Sequence, residues 1–102
     1  LAIYLYNKKI LISYKIISIV TKDETMLHPR DILYNAIKYN SSAVILIHNH
    51  PSGDIRPSKA DIEMTDIINN SCKIVGIPLL DHLITNTKEY YSFFKENLLW
   101  KK

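Results

Sequence analysis

Disulfide bonding, membrane insertion and secretion have little to work with in this chain. Cys72 is the only cysteine among 102 residues. No intramolecular disulfide can form, and a single thiol in an ordinary composition points to a reducing, cytoplasmic setting. No apolar run approaches the roughly 20 residues that span a bilayer. The N-terminus also lacks the charged, apolar and small-residue succession of a signal peptide, so a membrane partner is not expected. The basic residues are scattered rather than striped: the net charge of +3 is spread from Lys8 to Lys102. A phosphate-tracking surface normally clusters them, which ranks nucleic acid low among partners. Glycine occurs only at Gly53 and Gly76, and there are no repeats or low-complexity tracts. A start at Leu1 instead of methionine points to a piece of a longer chain.

What remains is a globular composition, 47% hydrophobic, in a length that suits one domain over residues 1–102. Residues 1–6 and 10–20 are rich in β-branched and aromatic side chains around a turn at Tyr6 to Lys9, which predicts a hairpin. Within its second strand, alternation puts Lys15 on the face of Leu11, Ser13 and Ile17. His28 and Pro29 open a helix whose apolar face is Ile32, Leu33, Ala36 and Ile37. The unbroken run Ala43 to Ile47 predicts a central strand covered on both faces, ending in His48. A proline-rich loop follows, then a second helix from Ser58 to Gly76 with Met64, Ile67, Ile68, Cys72 and Val75 inward. Residues 78–85 and 90–94 predict two further strands. Interleaved helices and strands make the domain α/β with a mixed sheet.

The chemistry concentrates in residues 43–61, AVILIHNHPSGDIRPSKAD. Side chains two apart on a strand share a face, so His48 and His50 can aim both imidazoles at one point. The loop 51–57, stiffened by Pro51 and Pro57 and bent at Gly53, can return the chain so that the first helical turn brings Asp61 there too. Two nitrogens and one carboxylate leave the fourth position of a tetrahedral zinc open to water, the pattern of a catalytic site. Ser58, at the helix start, is placed to donate to an oxyanion.

The segment His48-Asn49-His50-Pro51-Ser52-Gly53-Asp54 with Pro57-Ser58-Lys59-Ala60-Asp61 resembles the JAMM signature, H-x-H-x(7)-S-x-x-D, of JAB/MPN+ metalloprotease-like domains. More narrowly it resembles the C-terminal domain of the RadC family, bacterial proteins historically labelled as DNA repair proteins. His28-Pro29-Arg30, Asp81-His82 and Tyr91-Ser92-Phe93 match that family as well. The resemblance implies a three-layer α/β/α sandwich similar to cytidine deaminases. It also implies Zn2+ held by His48, His50 and Asp61, Ser58 assisting the oxyanion, and a zinc-dependent hydrolase acting on a peptide or isopeptide bond of a protein substrate. The family's proton-accepting glutamate, placed without gaps upstream of His28, falls on Lys15, a poor base beside a metal cation. Asp23 and Glu24 lie in the loop after that strand and Asp54 in the motif loop, and any of them reaches the site only if the backbone departs from the family course. The alternatives are therefore a metal-binding scaffold module without turnover and, third, a DNA-repair-associated module.

Plainer roles compete for the same residues. Ser58-x-x-Asp61 is also a capping box, and the two roles partly compete, because an aspartate folded back on the helix start does not also face a metal. His28 before a proline suits a structural place at the start of a helix, and Asp81-His82 a polar pair at a strand end. Cys72 sits on the apolar face of its helix and is expected in the core.

Overall fold

The computed structural model describes residues 1–8, 11–17, 28–49, 54–86 and 88–96. Strands β1 (Ala2–Lys8) and β2 (Leu11–Ile17) form the expected antiparallel hairpin, with Ala2 opposite Ile17 and Lys8 opposite Leu11. β1 runs two residues past the predicted start of its turn, because Asn7 and Lys8 still find partners in Ile12 and Leu11. Helix α1 (Pro29–Lys38) begins after His28 in extended conformation, with the proline in its first turn, where a missing N–H costs nothing. Strand β3 (Ala43–Asn49) lies at the centre of the sheet, antiparallel to β1 and parallel to β4 (Leu79–Thr85). The crossover between β3 and β4 is helix α2 (Lys59–Val75), capped by Ser58 and closed by Gly76 in the left-handed conformation, φ 76°. The short edge strand β5 (Tyr90–Ser92) completes a mixed sheet of order β2-β1-β3-β4-β5.

Strand pairing fixes what faces what. Tyr4 stands opposite Val44, and Leu46 beside His82, so Ala2, Tyr4, Val44, Leu46, His82 and Ile84 share one face. All are buried, together with Ile32 and Ala36 of α1 and Ile68 and Cys72 of α2. Both helices thus lie in one layer on one face of the sheet. The α/β fold with a mixed sheet is as expected. The second helical layer of a three-layer sandwich does not occur among the described residues, whose other sheet face carries the half-buried Ile3, Leu5, Ile45, Ile47 and Leu83. Among the described residues, β3 is therefore covered by helices on its Val44/Leu46 side alone.

The two helices settle differently from their apolar stripes. In α1, Ile32 and Ala36 are buried and Leu33 packs at the margin, but Ile37 faces solvent. In α2 the inward row is Thr65, Ile68, Asn69 and Cys72, while Ile67 and Val75, predicted inward, are exposed. Ile68 and Cys72 of the expected face are thus buried and Met64 packs at the core's margin, but the row is completed by the polar Thr65 and Asn69, and Thr65 gains a buried partner by it. Cys72 is fully buried, and desolvation pushes its thiol up to about 11, as suits a small core residue.

The segment after β5 also departs from extended geometry. β5 stops at Ser92, because Ser92 Oγ donates to Asp81 Oδ2 (2.6 Å) while the Phe94 N–H donates to Asp81 Oδ1 (3.0 Å). These bonds curl residues 93–96 into a turn and seat Phe93 in the core. Asp81 and His82 lie inside β4, not at its end.

Candidate functional site

β3 ends where α2 begins its return, at the carboxyl edge of the parallel strand pair, the usual location of ligand sites in open α/β sheets. His48 continues the Val44/Leu46 face to that edge and is exposed. Its ring lies 6.3 Å from the ring of His82, nearly parallel at 17°. His82 in turn stacks on Phe93 at 4.8 Å and 11°. A column of three rings therefore runs from the core to the sheet edge.

The start of α2 is built by reciprocal capping. Ser58 Oγ accepts the Asp61 N–H (3.0 Å), and Asp61 Oδ2 accepts the Ser58 N–H (2.9 Å). A carboxylate offers about four lone-pair sites, and this bond occupies one of them. One turn further, Thr65 Oγ1 donates to the Asp61 carbonyl oxygen (2.7 Å) and lies 2.7 Å from His82 Nδ1. The strand end and the helix start are thereby joined through the interior of the fold.

Electrostatics agree with that geometry. Burial lowers the His82 pKa from an ordinary 6.5 to about 4; His48 adds to the depression, and Asp61 and Asp81 oppose it. His82 is neutral at pH 7. Its titration feels both His48 and Asp61, so an imidazole and a carboxylate of the expected ligand set bear on one neighbourhood. That donor chemistry suits a borderline metal such as zinc.

His50 and the loop residues 51–53 lie outside the described residues, as do Asp23 and Glu24. Among the described residues, no group of three or more His, Cys, Asp or Glu could hold a metal. Ser58 is exposed and Asp61 half-buried. Asp54 accepts from the Arg56 backbone N–H (3.0 Å) and pairs with its guanidinium (3.2 Å), both side chains at the surface. Lys15 lies elsewhere: it pairs with Tyr4, which pairs with Val44, four residues before His48. At about 3.3 Å per residue that is roughly 13 Å along the strand direction. Its Nζ sits 4.5 Å above the Tyr39 ring, a cation–π contact at the C-terminal end of α1.

Sequence reasoning missed Thr65 altogether and placed His82 at a strand end. The available signal was spacing: Thr65 follows Asp61 by four, one helical turn, on the same face.

Comparison with known proteins agrees with the motif. The family model described as RadC-like JAB domain matches residues 1–99. UPF0758 protein pc1765 of Protochlamydia amoebophila is 44% identical over 101 residues, which is 99% of this chain and 44% of that protein. UPF0758 protein SSU98_1084 of Streptococcus suis is 42% identical over 94% of this chain and 39% of its own length. A UPF0758 protein of Pelodictyon phaeoclathratiforme is 39% identical over 95% and 44%. The chain thus spans less than half the length of these relatives. No helix of the described residues is long and apolar enough to cross a membrane.

Proposed function

Because the chain belongs to the RadC-like JAB domain family, we propose that it is the metal-binding domain of a zinc-dependent hydrolase of the JAMM type, acting on a peptide or isopeptide bond in the cytoplasm. The observation that carries the reading is that the His48 ring, at the end of β3, stacks 6.3 Å from that of His82, and the Asp61 backbone, in the first turn of α2, is tied to the same His82 through Thr65. In this reading His48 and His50 contribute neutral imidazoles and Asp61 a carboxylate. When bound, the ion supplies Lewis acidity, polarising a carbonyl and bringing the pKa of water down to about 7. Ser58 contributes a hydrogen bond to the developing oxyanion, worth roughly 3 kcal/mol. A hydroxyl that accepts a backbone N–H, as Ser58 Oγ does from Asp61, still has its own proton to donate.

A second reading, a scaffold module that keeps the metal without turnover, is favoured by Lys15. Both its charge and its register, level with Val44, keep it from serving as the base beside His48. The third reading, a DNA-associated module, requires affinity for nucleic acid that falls steeply with salt.

The deciding measurement is zinc content of the purified chain, wild type against His50→Ala, followed by a panel of peptide and isopeptide substrates. One equivalent of zinc in the wild type, none in His50→Ala, and cleavage abolished by Asp61→Ala is the expected result. Zinc without cleavage transfers the assignment to the scaffold. A wild type without zinc at saturating metal ends the metal readings.

A further inference from the structure

The site described so far leaves His82 without a task, although its ring stacks 6.3 Å from that of His48 and its Nδ1 lies 2.7 Å from Thr65, which bonds the Asp61 backbone. Thr65 Oγ1 has a single proton, and the carbonyl of Asp61, 2.7 Å away, can only accept. That proton is therefore committed to the carbonyl. The second 2.7 Å contact, to His82 Nδ1, must then run the other way, with the ring nitrogen as donor. The chain of bonds is directional: His82 Nδ1–H to Thr65 Oγ1, and Thr65 Oγ1–H to the backbone of Asp61. It also fixes the tautomer, with the proton on Nδ1 and a lone pair on Nε2. Phe93 fixes the plane of the ring, stacked at 4.8 Å.

We propose that His82 and Thr65 are positioning residues that hold the first turn of α2 against the end of β3, so that Asp61 and His48 are presented to one metal ion in a set geometry. This inference rests on the metal reading above. The observations behind it are independent of the motif. α2 turns Thr65 and Asn69 to the sheet while leaving Ile67 and Val75 exposed, an orientation that gives up apolar burial and in return makes this buried bond. The residues involved come from separate elements: Thr65 from α2, His82 from β4, His48 from β3 and Phe93 from the turn after β5. Partners that orient ligands of this kind typically change metal affinity by about 10- to 100-fold when removed.

Cobalt(II), titrated alone into the intact chain and followed by its visible absorption, provides the test. Thr65→Val removes only the hydroxyl, His82→Phe keeps the stacking and removes the donor, and Thr65→Ser keeps the hydroxyl on a smaller side chain. The expected result is a loss of about 10- to 100-fold in affinity for Thr65→Val and for His82→Phe, with the double variant no weaker than the weaker single one, and recovery in Thr65→Ser. Nitrogen-15 spectra of the metal-free wild type should show the Nδ1–H tautomer at His82, a readout that needs no variant. Wild-type affinity in Thr65→Val, equal weakness in Thr65→Ser, or an Nε2–H tautomer overturns the relay alone. A wild type that takes up no cobalt overturns the metal reading and this inference together.

Discussion

Tyr4 and His82 are buried polar side chains on the same face of the sheet, on opposite sides of β3, and each ties a helix down. Under α1, the Tyr4 hydroxyl donates to the Ile32 carbonyl (2.9 Å), and burial raises its pKa to about 12. The contact is a backbone anchor with no proton to exchange near neutrality. Under α2, His82 bonds to a side chain that itself bonds to the turn carrying Asp61, and it feels His48 and Asp61 as it titrates. The same structural job is done with an imidazole beside the motif residues His48 and Asp61 and with a phenol away from them. A buried polar group under a helix is thus no sign of function by itself; what separates the two regions is which groups it couples to, Cys72, Asp31 and Tyr39 around Tyr4 against His48, Asp61 and Asp81 around His82.

The sharpest way to break the comparison is to remove a ligand on the α2 side and a hydrogen bond on the α1 side. Asp61→Ala should abolish bound zinc, measured by metal analysis, while Tyr4→Phe should leave it unchanged; equal loss in both would erase the distinction. Next in size is pH. A histidine whose folded pKa lies below its unfolded value stabilises the fold above about 6.5, and that contribution is lost as pH falls toward about 4. The metal-free chain should lose roughly 3 kcal/mol over that window, with His82→Phe flattening this limb in urea titrations and Tyr4→Phe preserving it. Smaller still, Tyr4→Phe leaves the Ile32 carbonyl without that donor and should cost about 1–2 kcal/mol, equally at pH 5 and pH 8. Ser58→Ala, which deletes one arm of the capping box, should lower unfolding free energy by about 1 kcal/mol. Lys15→Glu is expected to change stability by less than about 0.5 kcal/mol and to add no hydrolysis, since it sits level with Val44; a gain in cleavage would show that β2 reaches the site.

Much of the fold was legible because its signals are local. Ser58 and Gly76 bracket α2, Pro29 opens α1, and the apolar run Ala43 to Ile47 is the central strand. The capping box that competed with the oxyanion role of Ser58 and the metal role of Asp61 is formed, and Cys72 lies in the core as its helical face implied. What misled were patterns read along one element in isolation. Ile67 and Val75 belong to the apolar stripe of α2 by spacing, but the helix turns Thr65 toward a partner on β4, 17 residues away in sequence. Lys15 fell on the family's glutamate when counted back from His28, whereas strand pairing sets it beside Tyr4, over the ring of Tyr39.

By itself, then, the sequence determined the order of helices and strands, the caps of both helices, the family, and the motif from His48 to Asp61, since caps, turns and hydrophobic period act within a few residues. Only the tertiary structure decided that both helices share one layer, that α2 presents Thr65 inward, and that His82 joins the strand end to the helix start. Those outcomes depend on sheet register and on the desolvation of polar groups by distant parts of the chain, which no local pattern records.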